Sequence, residues 1–399
     1  MHIAHLSTFG SGGASIAAQR IHISLVKNNY DSFFYYYKNG SNIINSVQYK
    51  RNKIVEKIVW KIYWNKYKKF FKNRKKESVF STLRVPTGTR FSMFHKPPDI
   101  IHLHFISYFV DFVSFVESCP TTIPIVWTLH DANALTGGCH YPGDCEKFKD
   151  ICNACPQLNP NVKSDLAYKN FTKKKSVLQN RKLFIVGNSN WLTGLAENSN
   201  VFNRKNTYFD TIHYSLDINT FKPKNSQFCK KELGLPEDKL VILFGAENLS
   251  DERKGLSYLI AAMNQFGNED NMCLALFGGN CPDISHLLLP FYLFGTINSE
   301  QKMSNIYNAA DIFVISSQEE AFGQTCLEAI ASGTPAIGFP VGGIPDMIID
   351  GQTGLLAKVL DSSDLAKKIR YLANNVMLRK KMSSNAREHA LKSFDPTIQ

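Results

Sequence analysis

Short apolar runs alternate along this chain with segments whose apolar residues recur at three- and four-residue steps. The first run, HIAHLST, leads into the glycine turn FGSGGAS. The next segment, IAAQRIHISLVKNN, has helical spacing at Ile16, Ile21, Ile23 and Leu25. The runs SFFYYYK, DIIHLHF, PIVWTLH and KLFIVGNS follow, with helical patterns between them. Strands separated by helices predict a parallel sheet covered on both faces. The alternation pauses at TIHYSLDINTFKP (Thr211–Pro223) and then restarts. KLVILFGAE, MCLALFGG, FYLFGTI, DIFVISS and PAIGFP read as strands, and GLSYLIAAMNQF, SEQKMSNIYNAA and GQTCLEAIASG as helices. The expected fold class is α/β in two domains, 1–214 and 215–399, and 399 residues are in any case too many for one ordinary core.

Composition adds a class and a location. An apolar fraction of 44% with 20% charged residues is that of a globular protein. The chain starts without the basic, apolar and small-residue regions of a signal peptide, and no apolar run approaches the roughly 18–20 residues of a membrane span. These features predict a cytoplasmic protein. The formal charge of +12 is uneven: residues 1–215 carry 29 Lys and Arg against 13 Asp and Glu, and the remainder carries 17 against 21. A basic half attracts nucleic acid, anionic lipid or an anionic substrate. No helix-turn-helix, zinc-finger or RNA-binding signature accompanies the charge, so nucleic acid is not an expected partner. The densest stretch, Lys50–Lys76, holds twelve Lys or Arg and one acid, Glu56. Within it Ile54, Ile58 and Ile62, and Val55, Val59, Tyr63, Tyr67 and Phe70, recur at helical steps beside Trp60 and Trp64. This predicts a basic amphipathic helix, which either lies on an anionic membrane surface or packs its apolar side on its own domain.

The chemistry-bearing positions cluster at predicted strand ends. In open parallel sheets ligands bind beyond the carboxyl ends of the strands, where the first turn of the next helix favours an anion. DIFVISS is such a strand and GQTCLEAIA such a helix, with Gly323 at its mouth, Glu320 just before it and Glu328 inside it. Carboxylates accept hydrogen bonds from paired hydroxyls, so a ligand with both phosphate and sugar fits; a capped helix with surface acids is the plainer reading. An Arg253-Lys254 pair opens a helix in DERKG, and Gly12 and Gly13 form the turn after the first strand. WTLHD places His130 and Asp131 at a strand end, whereas His104 in HLHF reads as an ordinary strand-end residue. Cys139, Cys145, Cys152 and Cys155 are separated by five, six and two residues. A structural zinc, buried free thiols and disulfides all fit that spacing; a zinc would pin the loop beside His130 and take no part in the chemistry.

Taken together, EAFGQTCLEAIASGTPAIGFPVGGIPDMIIDGQTGLL resembles the signature of the retaining, nucleotide-sugar-dependent glycosyltransferases of family four. Their hallmark, Glu, seven residues, Glu, is matched by Glu320 and Glu328. The resemblance extends through FGSGGAS, TLHD, YSLDINTFKP, RKG, FGG and FGTI to nearly the whole chain. It implies the GT-B fold, two Rossmann-like domains facing each other across a cleft, with the acceptor on the first domain and the nucleotide sugar on the second. It further implies that Glu320 binds hydroxyls of the donor sugar and Glu328 the ribose. Backbone N–H groups of Phe322, Gly323, Gln324 and Thr325 would face the sugar and diphosphate. Arg253 and Lys254 would neutralise the diphosphate, although the family's Arg usually stands five residues before the Lys, where this chain has Leu249. Gly12 and Gly13 would approach the donor phosphate or acceptor, and His130 would lie beside the donor sugar, oriented by Asp131. The implied donor is a UDP- or GDP-sugar, with no cofactor or metal required for catalysis. The implied acceptor is a glycan, carried on a lipid, in the assembly of capsule, exopolysaccharide or lipopolysaccharide at the inner face of the cell membrane. A GT-B-fold sugar-nucleotide epimerase and, from another class, a basic nucleic-acid-binding protein are the rival readings.

Overall fold

The computed structural model of the chain describes residues 1–40, 43–72, 74, 79–159, 162, 165–267 and 270–398. They divide into two compact units, Met1–Ile212 and His213–Gln399.

The first unit is a parallel sheet of β1 (His2–Phe9), β2 (Asp31–Lys38), β3 (Ser46–Gln48), β4 (Ile100–Leu103), β5 (Ile125–Leu129), β6 (Leu183–Gly187) and β7 (Thr207–Thr211). The spatial order is β3-β2-β1-β4-β5-β6-β7, so the direction of winding reverses between β1 and β4. Helices α1 (Gly13–Lys27), α2 (Lys53–Phe71), α3 (Phe112–Ser118), α4 (Leu166–Leu178) and α5 (Asn190–Glu197) connect the strands. Asn52, Asp111, Asp165 and Ser189 cap α2 to α5 by accepting first-turn N–H bonds. A parallel sheet covered on both faces buries apolar runs, as at Ile101, Leu103, Ile125, Trp127, Leu183 and Ile185. β1 and β4 depart from that rule with the buried His5 and His102.

Two helices differ from expectation. α1 turns Ser15, Ala18 and His22 inward, while Ile16 is 40% exposed; the buried face is small and polar rather than the isoleucine-bearing one. α2 uses both of its faces. Tyr63, Tyr67 and Phe70 are buried, with Tyr63 hydrogen-bonded to Thr82, whereas Ile54, Ile58 and Ile62 are 70%, 55% and 64% exposed. Positions 73 and 75–76 of the predicted basic stretch lie outside the described residues.

The second unit is also a parallel sheet, of β8 (Leu240–Asn248), β9 (Met272–Gly279), β10 (Phe291–Leu293), β11 (Ile312–Ile315), β12 (Ala336–Gly338) and β13 (Gly354–Leu356), in the order β10-β9-β8-β11-β12-β13. Its helices are α6 (Ser226–Glu232), α7 (Leu256–Met263), α8 (Glu300–Ala309), α9 (Gln324–Ala331), α10 (Ser362–Asn374) and α11 (Val376–Ser393). Ile242, Phe244, Leu274, Leu276 and Val314 of the strands pack with Leu259 and Met263 of α7 and Leu365 and Ile369 of α10 in one core. Arg387 of α11 donates to the carbonyls of Ile218, Phe221 and Ala331, which ties that helix down. Winding reverses between β8 and β11. In each unit the reversal opens a crevice at the strand carboxyl ends. No described helix is long and apolar enough to cross a membrane.

Candidate active site

At the β8–β11 reversal the backbone is drawn tight. A short 3-10 turn, Glu252–Lys254, follows β8 and is capped by Asp251. Gly255 ends it with φ +72, and a Cβ there would lie 1.8 Å from the Ser316 carbonyl oxygen at the end of β11. Ser316 Oγ donates to the Gly255 carbonyl at 2.8 Å, and the Gln318 N–H donates to the Arg253 carbonyl at 2.8 Å. The two strand ends are thereby locked together, and Lys254 Nζ reaches Glu320 Oε2 at 2.6 Å. Ser317 Oγ lies 3.4 Å from the same oxygen. The glycine turn behind them closes the pocket: a Cβ on Gly342, φ +54, would sit 1.7 Å from the Glu320 carbonyl oxygen, which instead accepts the Gly343 N–H at 3.1 Å.

Glu320 is almost enclosed, with 10% of its side chain exposed against 26% for Lys254. Burial alone raises its pKa; Lys254, then Arg253, and the hydrogen bonds from Lys254 and Ser317 outweigh burial and hold it below the ordinary value. The Arg253 guanidinium donates to Asp251 and to the Glu319 carbonyl, both at 3.1 Å. Leu249 is buried in the apolar core. Gly323, φ +105, opens α9 directly after Glu320. The Phe322 side chain is buried against Tyr214 and Phe394, so only its backbone is available to a ligand. Gln324 and Thr325 form the partly exposed first turn. Glu328 follows on the same helix, its carboxylate accepting from the Tyr307 hydroxyl at 2.9 Å. Tyr307 is a site residue that spacing did not reveal; it lies on α8, and its burial disguises it as core.

In the first unit the β1–β4 reversal carries Gly12, φ +87, and Gly13, which begins α1. Ser15 Oγ donates to the Phe9 carbonyl at 2.6 Å and Gln19 Nε2 to the Gly10 carbonyl at 2.8 Å, fixing this turn. His130 ends β5, half-buried, with Nε2 at 3.3 Å from His104 Nδ1. Asp131, next in the chain, caps the short turn Ala132–Leu135. Its carboxylate holds His140 Nδ1 at 2.8 Å and the Asn133 N–H at 2.8 Å, and His140 in turn meets Ser81. His104 is no ordinary strand-end residue but the direct neighbour of His130. The signal was available in HLH: two histidines two apart on a strand share a face.

Cys139, Cys145, Cys152 and Cys155 all line one small apolar cavity of about 20 Å³. They are free thiols. Burial, the largest cause, pushes Cys139 up to about 12 and Cys152 to about 11. Among the described residues the donor atoms that cluster within 4.8 Å of one another are those of His5, His102 and His104, and no three of the cysteine sulfurs do so.

Residues 225–389 match the family described as Glycosyl transferases group 1. The matched residues lie within the second unit and make up less than half of the chain. A relative, the D-inositol 3-phosphate glycosyltransferase of Saccharomonospora viridis, is 29% identical over 199 residues. That match spans 45% of this chain and 45% of the relative, less than half the length of each. Two solved structures are similar along the whole chain. The sucrose-phosphate synthase of Thermosynechococcus elongatus has a TM-score of 0.69 at 18% identity, covering 100% of this chain and 96% of that one. Anabaena HepE in complex with UDP has a TM-score of 0.68 at 17% identity, covering 100% and 97%. At such identity the likeness establishes the fold, which is GT-B.

The Glu320–Lys254 pair makes the stability of the second unit depend on acid in a defined way. A carboxylate whose folded pKa is lowered contributes stability that is full above the ordinary glutamate value of 4.5 and is lost as pH falls through the folded value. Lys254→Met leaves a buried carboxylate without its nearest cation and is expected to cost about 3 kcal/mol at pH 7. Burial then dominates the Glu320 pKa, so the variant's deficit shrinks as pH falls towards 4. Urea unfolding of both proteins across this range checks it; a deficit that does not change with pH contradicts the ion-pair account.

Proposed function

We propose that the chain is a retaining glycosyltransferase, moving a sugar from a UDP- or GDP-linked donor onto an acceptor hydroxyl. The observation that carries the reading is Lys254 against Glu320 at the mouth of α9, with Glu328 further along the same helix. A pyrophosphate at that mouth meets the positive end of the helix and the lysine charge. Glu320 is then placed to accept from sugar hydroxyls, and Glu328, steadied by Tyr307, from the ribose. As the anomeric carbon–oxygen bond breaks, negative charge grows on the diphosphate, where Lys254 and the helix end stabilise it without reorganising. The acceptor oxygen bonds to the same face of the anomeric carbon, and its proton passes to the departing phosphate oxygen. Configuration is thereby kept with no protein nucleophile and no step assigned to a metal. His130 of the first unit acts at a sugar hydroxyl, and Gly12 and Gly13 allow close approach of donor phosphate or acceptor. Calorimetric titration with UDP, UDP-glucose, GDP, GDP-mannose and uridine tests the donor site. At least one sugar nucleotide binds; Lys254→Ala weakens the diphosphates about 10–100-fold and leaves the nucleoside unchanged. No affinity for any of these nucleotides sinks the reading.

The acceptor in this proposal is a glycan carried on a lipid, as cell-surface polysaccharide assembly requires, and the protein works peripherally on the cytoplasmic face of a membrane. The support is α2, where Ile54, Ile58 and Ile62 form an exposed row one turn apart amid lysines. Anionic lipid contributes about 1 kcal/mol per nearby basic residue, and the isoleucines enter the headgroup boundary. The chain is expected to sediment with phosphatidylglycerol vesicles and not with phosphatidylcholine vesicles, and Ile58→Glu with Ile62→Glu to release it without lowering its melting temperature. Equal sedimentation with both vesicle types refutes the surface role.

The cysteine cavity is proposed as a structural zinc site. The donor set is soft and fourfold, and two lysines, Lys147 beside it and buried Lys174 behind it, offset the charge of four thiolates. Lys147 also donates to the Asn153 and Ala154 carbonyls inside the C-x-x-C turn, at 3.1 and 3.3 Å. Tetrahedral zinc holds its sulfurs about 3.8 Å apart, so the ring contracts on loading. Elemental analysis of the purified chain is expected to find one zinc, lost in Cys152→Ser with Cys155→Ser; a metal-free wild-type protein withdraws the site.

A further inference from the structure

The first unit buries a row of histidines that the donor chemistry does not use. β1 and β4 pair with His5 opposite His102, and side chains two apart on a strand share a face, so His5, His102 and His104 lie together. His22 of α1 covers the same face, its ring centroid 5.6 Å from that of His5. His102 and His104 stack at 4.2 Å, and His102 Nε2 meets Thr128 Oγ1 at 2.8 Å. The contacts that run to the strand ends are two: His5 Nδ1 to His104 Nε2 at 3.0 Å, and His104 Nδ1 to His130 Nε2 at 3.3 Å.

A neutral imidazole has one N–H and one lone pair. His104 has both nitrogens committed, so the direction of its bond with His5 dictates the direction of its bond with His130. Two arrangements exist. Either protons point outward, from His5 Nδ1 to His104 and from His104 Nδ1 to His130, or they point inward from His130 Nε2. The inward arrangement puts the His5 proton on Nε2. His5 is fully buried, and its Nε2 has no hydrogen-bond partner. Orphaned buried N–H groups are the rarer of the two kinds of unpartnered polar atom. The outward arrangement wins, and it leaves the His130 proton on Nδ1.

We propose that His5 and His104 are positioning residues, a buried relay that fixes His130 as the neutral Nδ1–H tautomer. His130 then carries its proton on Nδ1, and its Nε2 accepts from His104. Burial of the row keeps it uncharged: it pulls His102 down to about 3 and His130 to about 4, and with mutual repulsion it holds His5 and His104 well below the ordinary value. At neutral pH the rings are imidazoles, and the relay sets which nitrogen carries the proton without setting a charge. The consequence for sugar transfer rests on the role given to His130 above; the tautomer does not.

Long-range proton–nitrogen NMR of the full chain labelled with ¹⁵N-histidine at pH 7 reads the tautomer directly, with His130 assigned from His130→Gln. The expected wild-type signature is N–H at Nδ1 and a bare Nε2. His5→Phe removes the donor and moves His130 towards the Nε2–H form; His5→Asn, whose amide can donate from the Nδ1 position, restores the wild-type signature. With the donor identified, kcat falls about tenfold in His5→Phe and recovers in His5→Asn, with KM for the donor unchanged. A wild-type His130 that is Nε2–H or doubly protonated at pH 7 overturns the proposal, a reading that needs no variant to fold. So does a metal ion held by His5, His102 and His104, which would take the lone pairs the relay uses. A tautomer that shifts as expected while kcat stays constant keeps the relay and removes His130 from the transfer step.

Discussion

A carboxylate enclosed at the end of a strand must have a cation, and much of the second unit follows from supplying one to Glu320. The acid follows β11 and the cation follows β8, so the two strands must be neighbours with their carboxyl ends level. The sheet provides this only at its reversal, where β8 and β11 are adjacent although β9 and β10 intervene in sequence. Bringing the two connections within salt-bridge reach also forces backbone against backbone. Gly255 and Gly342 stand where any Cβ would penetrate a carbonyl oxygen, and both are in the left-handed region that glycine alone adopts without strain. The ion pair and the two glycines are thus one device. Its product is a fixed acid beside a helix mouth, with a lysine held in place before any ligand arrives.

The first unit repeats the topology with opposite electrostatics. Its reversal, β1 against β4, is lined by imidazoles rather than by an acid and a lysine. Several rings packed within stacking distance cannot all be protonated, because each cation would be desolvated and would repel the next. They are therefore neutral, and a neutral cluster organises itself by the direction of its hydrogen bonds. The positive charge of this unit sits instead on the solvent side of α2, where hydration costs nothing. In the second unit a lysine is paired with the enclosed Glu320; in the first the row of imidazoles carries no charge.

Much of the architecture was legible. Apolar runs and helical periods reproduced the central strands of both sheets because those strands are buried on both faces and have no freedom to be polar. Three short edge strands carry weaker signals: Ser46–Gln48 and Thr207–Thr211 are half-exposed, so hydrophobicity does not mark them, and Gly354–Leu356 is buried but only three residues long. In α1 the isoleucine spacing marks a helix but not its buried face. Its buried side is Ser15, Ala18 and His22, since close helix–sheet approach selects small residues and the row of imidazoles selects a histidine. At the site, spacing along one segment found Glu320, Gly323 and Glu328. Contacts between segments, Tyr307 with Glu328 and Asp131 with His140, carry no sequence signal, because they join residues whose local surroundings are ordinary.

α2 shows why a single amphipathic pattern supported two readings. A helix that merely caps its own unit needs one apolar stripe, and Tyr63, Tyr67 and Phe70 fill that need, with the Tyr63 hydroxyl bonded inward to Thr82. Ile54, Ile58 and Ile62 lie on a second stripe, displaced around the axis and towards the start of the helix, where Asn52 caps it and Glu56 is the only acid. Isolated exposed aliphatics are common on any surface and need no account. Three in register and one turn apart, with Lys57 and Lys61 along one side and Val55 and Val59 along the other, form a continuous apolar line bordered by charge, the pattern that places stems in a headgroup layer and ammonium groups at its phosphates. Packing explains the inner stripe and leaves the outer one exposed.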